Sequence, residues 1–213
     1  MIKNENISES KDKRNIEALS ELEAMPESSN GFLQSQLLIA MPTMRDPNFS
    51  HTVTLICQHN DNSCFGLTIN RPIQVTLEEL FEQLHIPTDN DAIKGVRALR
   101  GGPVQSEQGF VIHDTDKTWE NTLPISNNLA VTASRDILFD IAVGKGPDNF
   151  LLTLGCANWG AQQMLDEIKD NAWLNCEADK KILFDTPFEK RWKEAVDTMG
   201  INVNYISESA GHD

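Results

Sequence analysis

The sequence predicts an α+β domain, with a curled, barrel-like, mostly antiparallel sheet flanked by about four helices. Three observations carry that expectation. Between Leu37 and Pro72, three short apolar runs are separated by tight polar turns, the pattern of neighbouring strands joined through short loops. Later segments space apolar residues at helical intervals and carry start and stop signals. Strand and helix signals do not alternate regularly, as a doubly wound parallel sheet would require.

The opening polar segment, residues 1 to 30, has no sustained apolar face and is expected to be a disordered tail. Residues 31 to 206 then form one domain and residues 207 to 213 a flexible C-terminal tail, and a chain of 213 residues does not require a second core. Strands are expected from Leu37 to Ala40, Thr52 to Gln58 and Phe65 to Asn70, with an Asn/Asp turn at Asn60 to Ser63. Leu77, Leu80, Phe81 and Leu84 follow at helical spacing behind a Thr76/Glu79 capping box. Val96 to Leu99 and Gly109 to His113 read as strands around the turn GGPVQSEQ, and Leu129 to Thr132 as another. Ser134 is placed to cap a helix with Ile137, Leu138 and Ile141 on its apolar face, ended by Gly144. The apolar run Asn149 to Gly155 suits a central strand, and Ala161, Met164, Leu165 and Ile168 mark the next helix. Ile182 to Phe184 reads as a short strand. Thr186, Pro187 and Glu189 read as the start of a last helix whose stripe is Phe188, Trp192, Ala195, Val196 and Met199, and Asn202 to Ile206 as an edge strand.

Charge narrows the partners. Eighteen basic against 32 acidic residues give a net charge of −14, which repels polyanions and makes direct nucleic-acid binding an unfavourable expectation. No apolar run approaches the ~20 residues of a spanning helix and the start has no signal-peptide core, so the expected setting is the cytoplasm, with no membrane partner. Cys57, Cys64, Cys156 and Cys176 are far apart without a CxxC pair, which suits buried reduced thiols and neither a zinc site nor a disulfide.

The motifs for common chemistry are missing. GGPV, GKGPD and LGCANWG match no nucleotide-binding fingerprint, and neither HExxH nor GxSxG occurs. HDTD, from His113 to Asp116, reads as a turn in preference to a metal site. No cofactor, structural metal or catalytic set is therefore assigned. The candidate binding rim is Asp46, His59, Asn60, Asn70, Arg71, Gly101 and Gly102, polar or turn residues at strand ends. Gly101 and Gly102 are expected in a tight turn with positive φ, with a ligand-cradling loop as the other reading. Arg71 is expected to fork onto Asp46 as a latch in its resting role, the other reading being that it faces an anionic ligand with His59 and Asn70 as further hydrogen-bonding groups.

Several ordered motifs together carry a resemblance: LLIAMPTMRDPNF, QHN with GLTINRP, GGPV with GFVIH, VTASRDIL, GKGPDNFLLTLGCANWGAQQ, and the late Asn171, Trp173, Leu174, Arg191 and Trp192. Through these the chain resembles the YqgE/AlgH family of small bacterial proteins, over about Gly31 to Ile201. The resemblance implies an α+β fold with a barrel-like sheet, a cytosolic location, and no established activity, cofactor or catalytic residues. One member is named as a regulator of alginate production. Departures include Gln58 in place of an acid, Cys64 and Phe65 in place of small residues, Cys156 and Asn158 where Tyr and Gly are common, and Gln162 in place of Gly. The leading expectation is a non-enzymatic domain with a regulatory role that binds an unidentified small ligand or protein. The alternatives are a hydrolase using His59 or His113, and a transcriptional regulator.

Overall fold

A computed structural model describes residues 33–200. Ten strands form one curled sheet: β1 (Gln36–Ala40), β2 (Val53–His59), β3 (Ser63–Thr68), β4 (Pro72–Thr76), β5 (Arg97–Arg100), β6 (Val104–His113), β7 (Thr122–Ser126), β8 (Leu129–Thr132), β9 (Phe150–Gly160) and β10 (Trp173–Glu177). Four α-helices accompany them among the described residues: α1 (Leu77–Gln83), α2 (Asp136–Ala142), α3 (Ala161–Lys169) and α4 (Phe188–Thr198). The predicted α+β class, the mostly antiparallel curled sheet and the helix number all hold. The terminal tails and the strand expected at Asn202 to Ile206 lie outside the described residues.

The main path runs β10-β1-β2-β3-β9-β6-β8-β7. Its longest strand, β9, reads LLTL at its centre because both faces are covered, the condition that turns alternation into a continuous apolar run. β6 pairs antiparallel along one edge of β9. The other edge is shared: β3 pairs antiparallel with its C-terminal part, Gly66 opposite Ala157, and β5 pairs parallel with its middle, Arg100 opposite Leu154. The C-terminal ends of β3 and β5 therefore run toward each other and meet beside Gly155, whose φ of 76° bends β9 between them.

The sheet curls until its two ends face across one interior. Leu37, Leu55 and Leu67 pack there with Phe110, Ile112 and Val131, and Leu183, Ala195 and Val196 close the cluster. The Gln34 amide donates to the Ile125 carbonyl at 3.1 Å and ties the first strand's approach to β7. Outside, α1 and α2 bury Phe81, Ile137 and Ile141 against Val111 and Leu152, while α3 buries Met164 beside Trp159 and Trp173. Each such fully buried apolar side chain is worth about 1.5–3 kcal/mol relative to exposure.

Local signals predicted some ends and not others. The Thr76 hydroxyl accepts from Glu79 N–H at 3.3 Å and the Glu79 carboxylate accepts from Thr76 N–H at 2.9 Å, completing the expected capping box of α1. Ser134 does not cap α2: its hydroxyl donates to the Asp136 carboxylate and the Glu120 carbonyl, and Arg135 holds the N-cap position. Thr186 likewise does not cap α4, because its hydroxyl donates to the Lys181 carbonyl at 3.0 Å and Pro187 stands at the N-cap. Ile182 to Phe184 is not a strand but part of a π-helical turn, Lys181–Asp185, that buries Ile182 and Leu183. β4, β7 and β10 were not anticipated, and β6 begins at Val104, inside the segment read as a turn.

Candidate functional site

The loop before β2 is ordered by Asp46. Its carboxylate accepts from the Asn48 N–H at 2.8 Å, and its carbonyl accepts from the N–H groups of Phe49 and Ser50 at 3.0 and 2.8 Å. This turn points the Ser50 carbonyl toward the end of β3, where it accepts a hydrogen bond from the Arg71 guanidinium. The Asp46–Arg71 ion pair expected as a latch does not form: the carboxylate is engaged by its own turn, and the arginine is held by a main-chain oxygen. Arg71 thus keeps a positive charge that no carboxylate offsets among the described residues.

Arg100 comes to the same place by main-chain pairing. Its N–H donates to the Arg71 carbonyl at 2.8 Å, and Gly101, next in the chain, accepts from Thr68 N–H at 2.7 Å. The two C-terminal strand ends are thereby stitched together, and a cavity of about 160 Å³ opens at their junction. Asn48, Thr68, Arg71, Arg100 and Gly102 line it together with Pro103, and no Asp, Glu, His, Cys or Ser is among the lining residues. Thr68 is buried and its hydroxyl shares a hydrogen bond with Thr54 at 3.0 Å, so it is a wall in preference to a nucleophile.

The glycines serve a different purpose from the one expected. Gly101 and Gly102 do not have positive φ; they are glycines because the chain crosses β9 at close range. A Cβ at Gly101 would lie 2.1 Å from the Gly155 carbonyl oxygen, and one at Gly102 2.2 Å from the Cys156 carbonyl carbon.

The structure divides the expected rim. Asn70 stays near Arg71, where its side-chain oxygen accepts from Val53 N–H at 2.9 Å and its amide donates to the His51 carbonyl at 2.8 Å, continuing the β2–β3 pairing past the strand end. His59 and Asn60 lie at the opposite end of β2, roughly 20 Å away for a strand of this length at ~3.3 Å per residue. Asn60 builds the β2–β3 turn by accepting from Asn62 and Ser63 N–H groups at 2.9 and 3.0 Å. His59 is only 5% exposed, and burial lowers its pKa against the opposing pull of Asp61.

His113 is sealed. It has no exposure, its Nδ1 pairs with the Asp114 carbonyl at 2.5 Å, and its Nε2 pairs with the Thr132 hydroxyl at 2.8 Å. A neutral imidazole makes both bonds by donating through Nδ1 and accepting the Thr132 proton at Nε2, and Thr132 then accepts from the Thr122 hydroxyl in place of that hydroxyl's bond to the Trp119 carbonyl. Burial lowers its pKa, with the Asp114 main-chain bond and charge pulling the other way. No substrate can reach either nitrogen. The cysteines are free thiols; burial pushes Cys64 up to about 12 and Cys156 up to about 11, which removes them as ready nucleophiles. Among the described residues no group of three His, Cys, Asp or Glu side chains is placed to hold a metal ion.

Sequence reasoning missed three contributors to this end of the molecule. Arg100 and Asn48 line the cavity, and Arg191 anchors the chain two residues before Arg71: 2% exposed, it donates through Nε to the Thr186 carbonyl at 2.9 Å and through Nη1 to the Ile69 carbonyl. Arg100 had a signal, since polar Arg97 and Arg100 bracket buried Ala98 and Leu99 and Arg100 precedes the glycine pair. Arg191 had none beyond its place in the late motif, because it sits inside a charged run of α4.

Comparison with known proteins shows the family and the fold. The chain is 43% identical over 180 residues to a UPF0301 protein of Xanthomonas campestris, covering 84% of this chain and 96% of the relative. It is 45% identical over 190 residues to a UPF0301 protein of Paraburkholderia phymatum, covering 88% and 100%. Its structure matches the solution structure of the AlgH protein from Pseudomonas aeruginosa with a TM-score of 0.71 at 43% identity, over 89% of this chain and all of that one. A crystal structure of a Corynebacterium diphtheriae protein shares the fold at a TM-score of 0.66 and 19% identity, over 87% and 95%. No described helix is long and apolar enough to cross a membrane. The AlgH-like family model matches residues 37–204, and with these identities the chain belongs to the AlgH-like family.

Proposed function

We propose that this chain is a non-enzymatic binding domain with a regulatory role, working in the cytoplasm and taking its small ligand or protein partner at the junction of β3 and β5. The observation that carries the reading is the composition of the cavity. It gathers groups that recognise, two arginines with Asn48 and the Gly102 main chain, and none that takes a proton at neutral pH. The two histidines that could support a hydrolase are buried away from it. Direct DNA binding is disfavoured by the net charge of −14, so the regulatory output is read as ligand-dependent or partner-dependent.

A thermal-shift screen of small metabolites, paired with a panel of ester, amide and phosphoester substrates, tests this. At least one metabolite should raise the melting temperature of the wild type and fail to raise that of Arg71→Gln, with no turnover on the panel. Turnover that disappears in His59→Ala and persists in a fold-matched control overturns the proposal.

A further inference from the structure

We propose that the β3–β5 cavity is a receptor for one oxyanion group, in first place the phosphate of a small phosphorylated ligand. The inference rests on the binding reading above and names the chemistry it takes.

Charge is the first argument. In a chain with 32 acidic and 18 basic residues, a cavity whose charged lining is Arg71 and Arg100 without an acid runs against the composition. All the ion pairs among the described residues use lysine: Lys94, Lys169, Lys181 and Lys193. No arginine pairs with a carboxylate among the described residues. Arg71 is pinned by a neutral carbonyl, and exposed Arg100 has no carboxylate partner among the described residues. Like charges held together by main-chain pairing repel, and an anion seated between them relieves that repulsion.

Geometry is the second. The Arg100 N–H to Arg71 carbonyl bond fixes where the two side chains start, and the Ser50 carbonyl restricts the Arg71 guanidinium, so the ordering a ligand must impose falls mainly on Arg100. Gly102 presents main chain without a side chain at the wall. At about 160 Å³ the cavity falls below the ~300–1,000 Å³ of pockets that enclose a whole organic ligand, so it suits one head group with the remainder outside. Two planar guanidiniums match a phosphate dianion better than a carboxylate monoanion, in charge and in number of acceptor oxygens.

The test is a titration of the full chain, labelled for amide NMR, with inorganic phosphate, methyl phosphate and acetate at constant ionic strength. Saturable shifts are expected at Thr68, Gly101 and Gly102 with both phosphates at millimolar concentration, and weaker ones with acetate. Arg100→Gln should weaken phosphate binding by roughly tenfold or more, because hydrogen bonds to charged groups are lost. Its melting temperature should not fall, since the exposed side chain makes no intramolecular bond among the described residues and its charge repels that of Arg71. Equal binding by acetate keeps the oxyanion class and overturns the preference for phosphate. Shifts that never saturate, that map to another face, or that survive in Arg100→Gln overturn the proposal. The two readings fail separately: an uncharged metabolite whose stabilising effect needs Arg71, with no phosphate binding, leaves the binding reading standing and removes the oxyanion.

Discussion

The Arg71 guanidinium donates to the main-chain carbonyl of Ser50, 21 residues earlier, and so joins the end of β3 to the loop that enters β2. Asp46 acts on the same carbonyl from the other side by ordering its turn.

Arg71→Ala should therefore destabilise the fold by about 1–2 kcal/mol, the low end for a partly exposed hydrogen bond to a charged group. Asp46→Ala should cost about 1 kcal/mol through its lost turn bond. Because both act through the placement of Ser50, the double variant should cost less than the sum. Urea melts of the four proteins measure the cycle. Additive losses would show that the turn and the arginine act independently.

Gly101→Ala and Gly102→Ala should each cost at least about 3 kcal/mol or prevent folding, because the added methyl meets main-chain atoms of β9 that cannot swing aside. Gly109→Ala is the internal control. Nothing lies within 4 Å of its Cβ, so its effect on the melt should be near zero or slightly stabilising. Soluble expression and thermal melts of the three variants decide the matter.

How far the fold was legible in the sequence follows from how local each signal is. The α1 capping box is written in four consecutive residues, Thr76 to Glu79, and needs nothing distant. β10, Trp173–Glu177, exists because β1 offers it a partner, Trp173 opposite Ala40, and its own sequence WLNCE announces no strand. Ile182 to Phe184 shows the reverse failure, since a short apolar run fits a buried helical turn as well as a strand. The rim was half legible. Arg71 and the Gly101–Gly102 pair do converge, yet His59 and Asn60 do not, because antiparallel β2 ends where β3 begins and not where β3 ends.

Arg191 carries a third prediction. It is a buried cation whose partners are two carbonyls and the face of Phe188, 4.5 Å from the ring centroid, and burial pulls its pKa down to about 10. Arg191→Ala strands the Ile69 and Thr186 carbonyls and opens a cavity between α4 and β3, so a loss of about 3–5 kcal/mol is expected. Arg191→Lys should recover only part of it, because a single ammonium lacks the planar fork that reaches both oxygens. Chemical denaturation of both variants provides the measurement; a lysine variant as stable as the wild type would refute the two-carbonyl anchor.

The buried histidines set a pH dependence whose sign is determined. His113 and His59 have folded pKa values below the ordinary value of 6.5 because burial penalises the imidazolium. As pH falls through 6.5 the unfolded chain takes up protons that the folded chain refuses, so the unfolded state binds more protons and stability declines. Above 6.5 both states are neutral and these groups contribute no slope; below the folded pKa values both are charged and the slope from them ends. Stability between pH 7 and 8 should therefore be flat with respect to these groups and should begin to fall as pH drops below 6.5. His113→Gln should cost about 1–3 kcal/mol at pH 7 through imperfect replacement of the bonds to Asp114 and Thr132, and it should flatten the slope below pH 6.5. Melts of the wild type and His113→Gln at half-unit steps from pH 8 to pH 5 compare the two slopes. An unchanged slope in His113→Gln would assign the acid sensitivity to His59 or to carboxylates, and a wild type that gains stability on acidification would contradict the neutral buried imidazole.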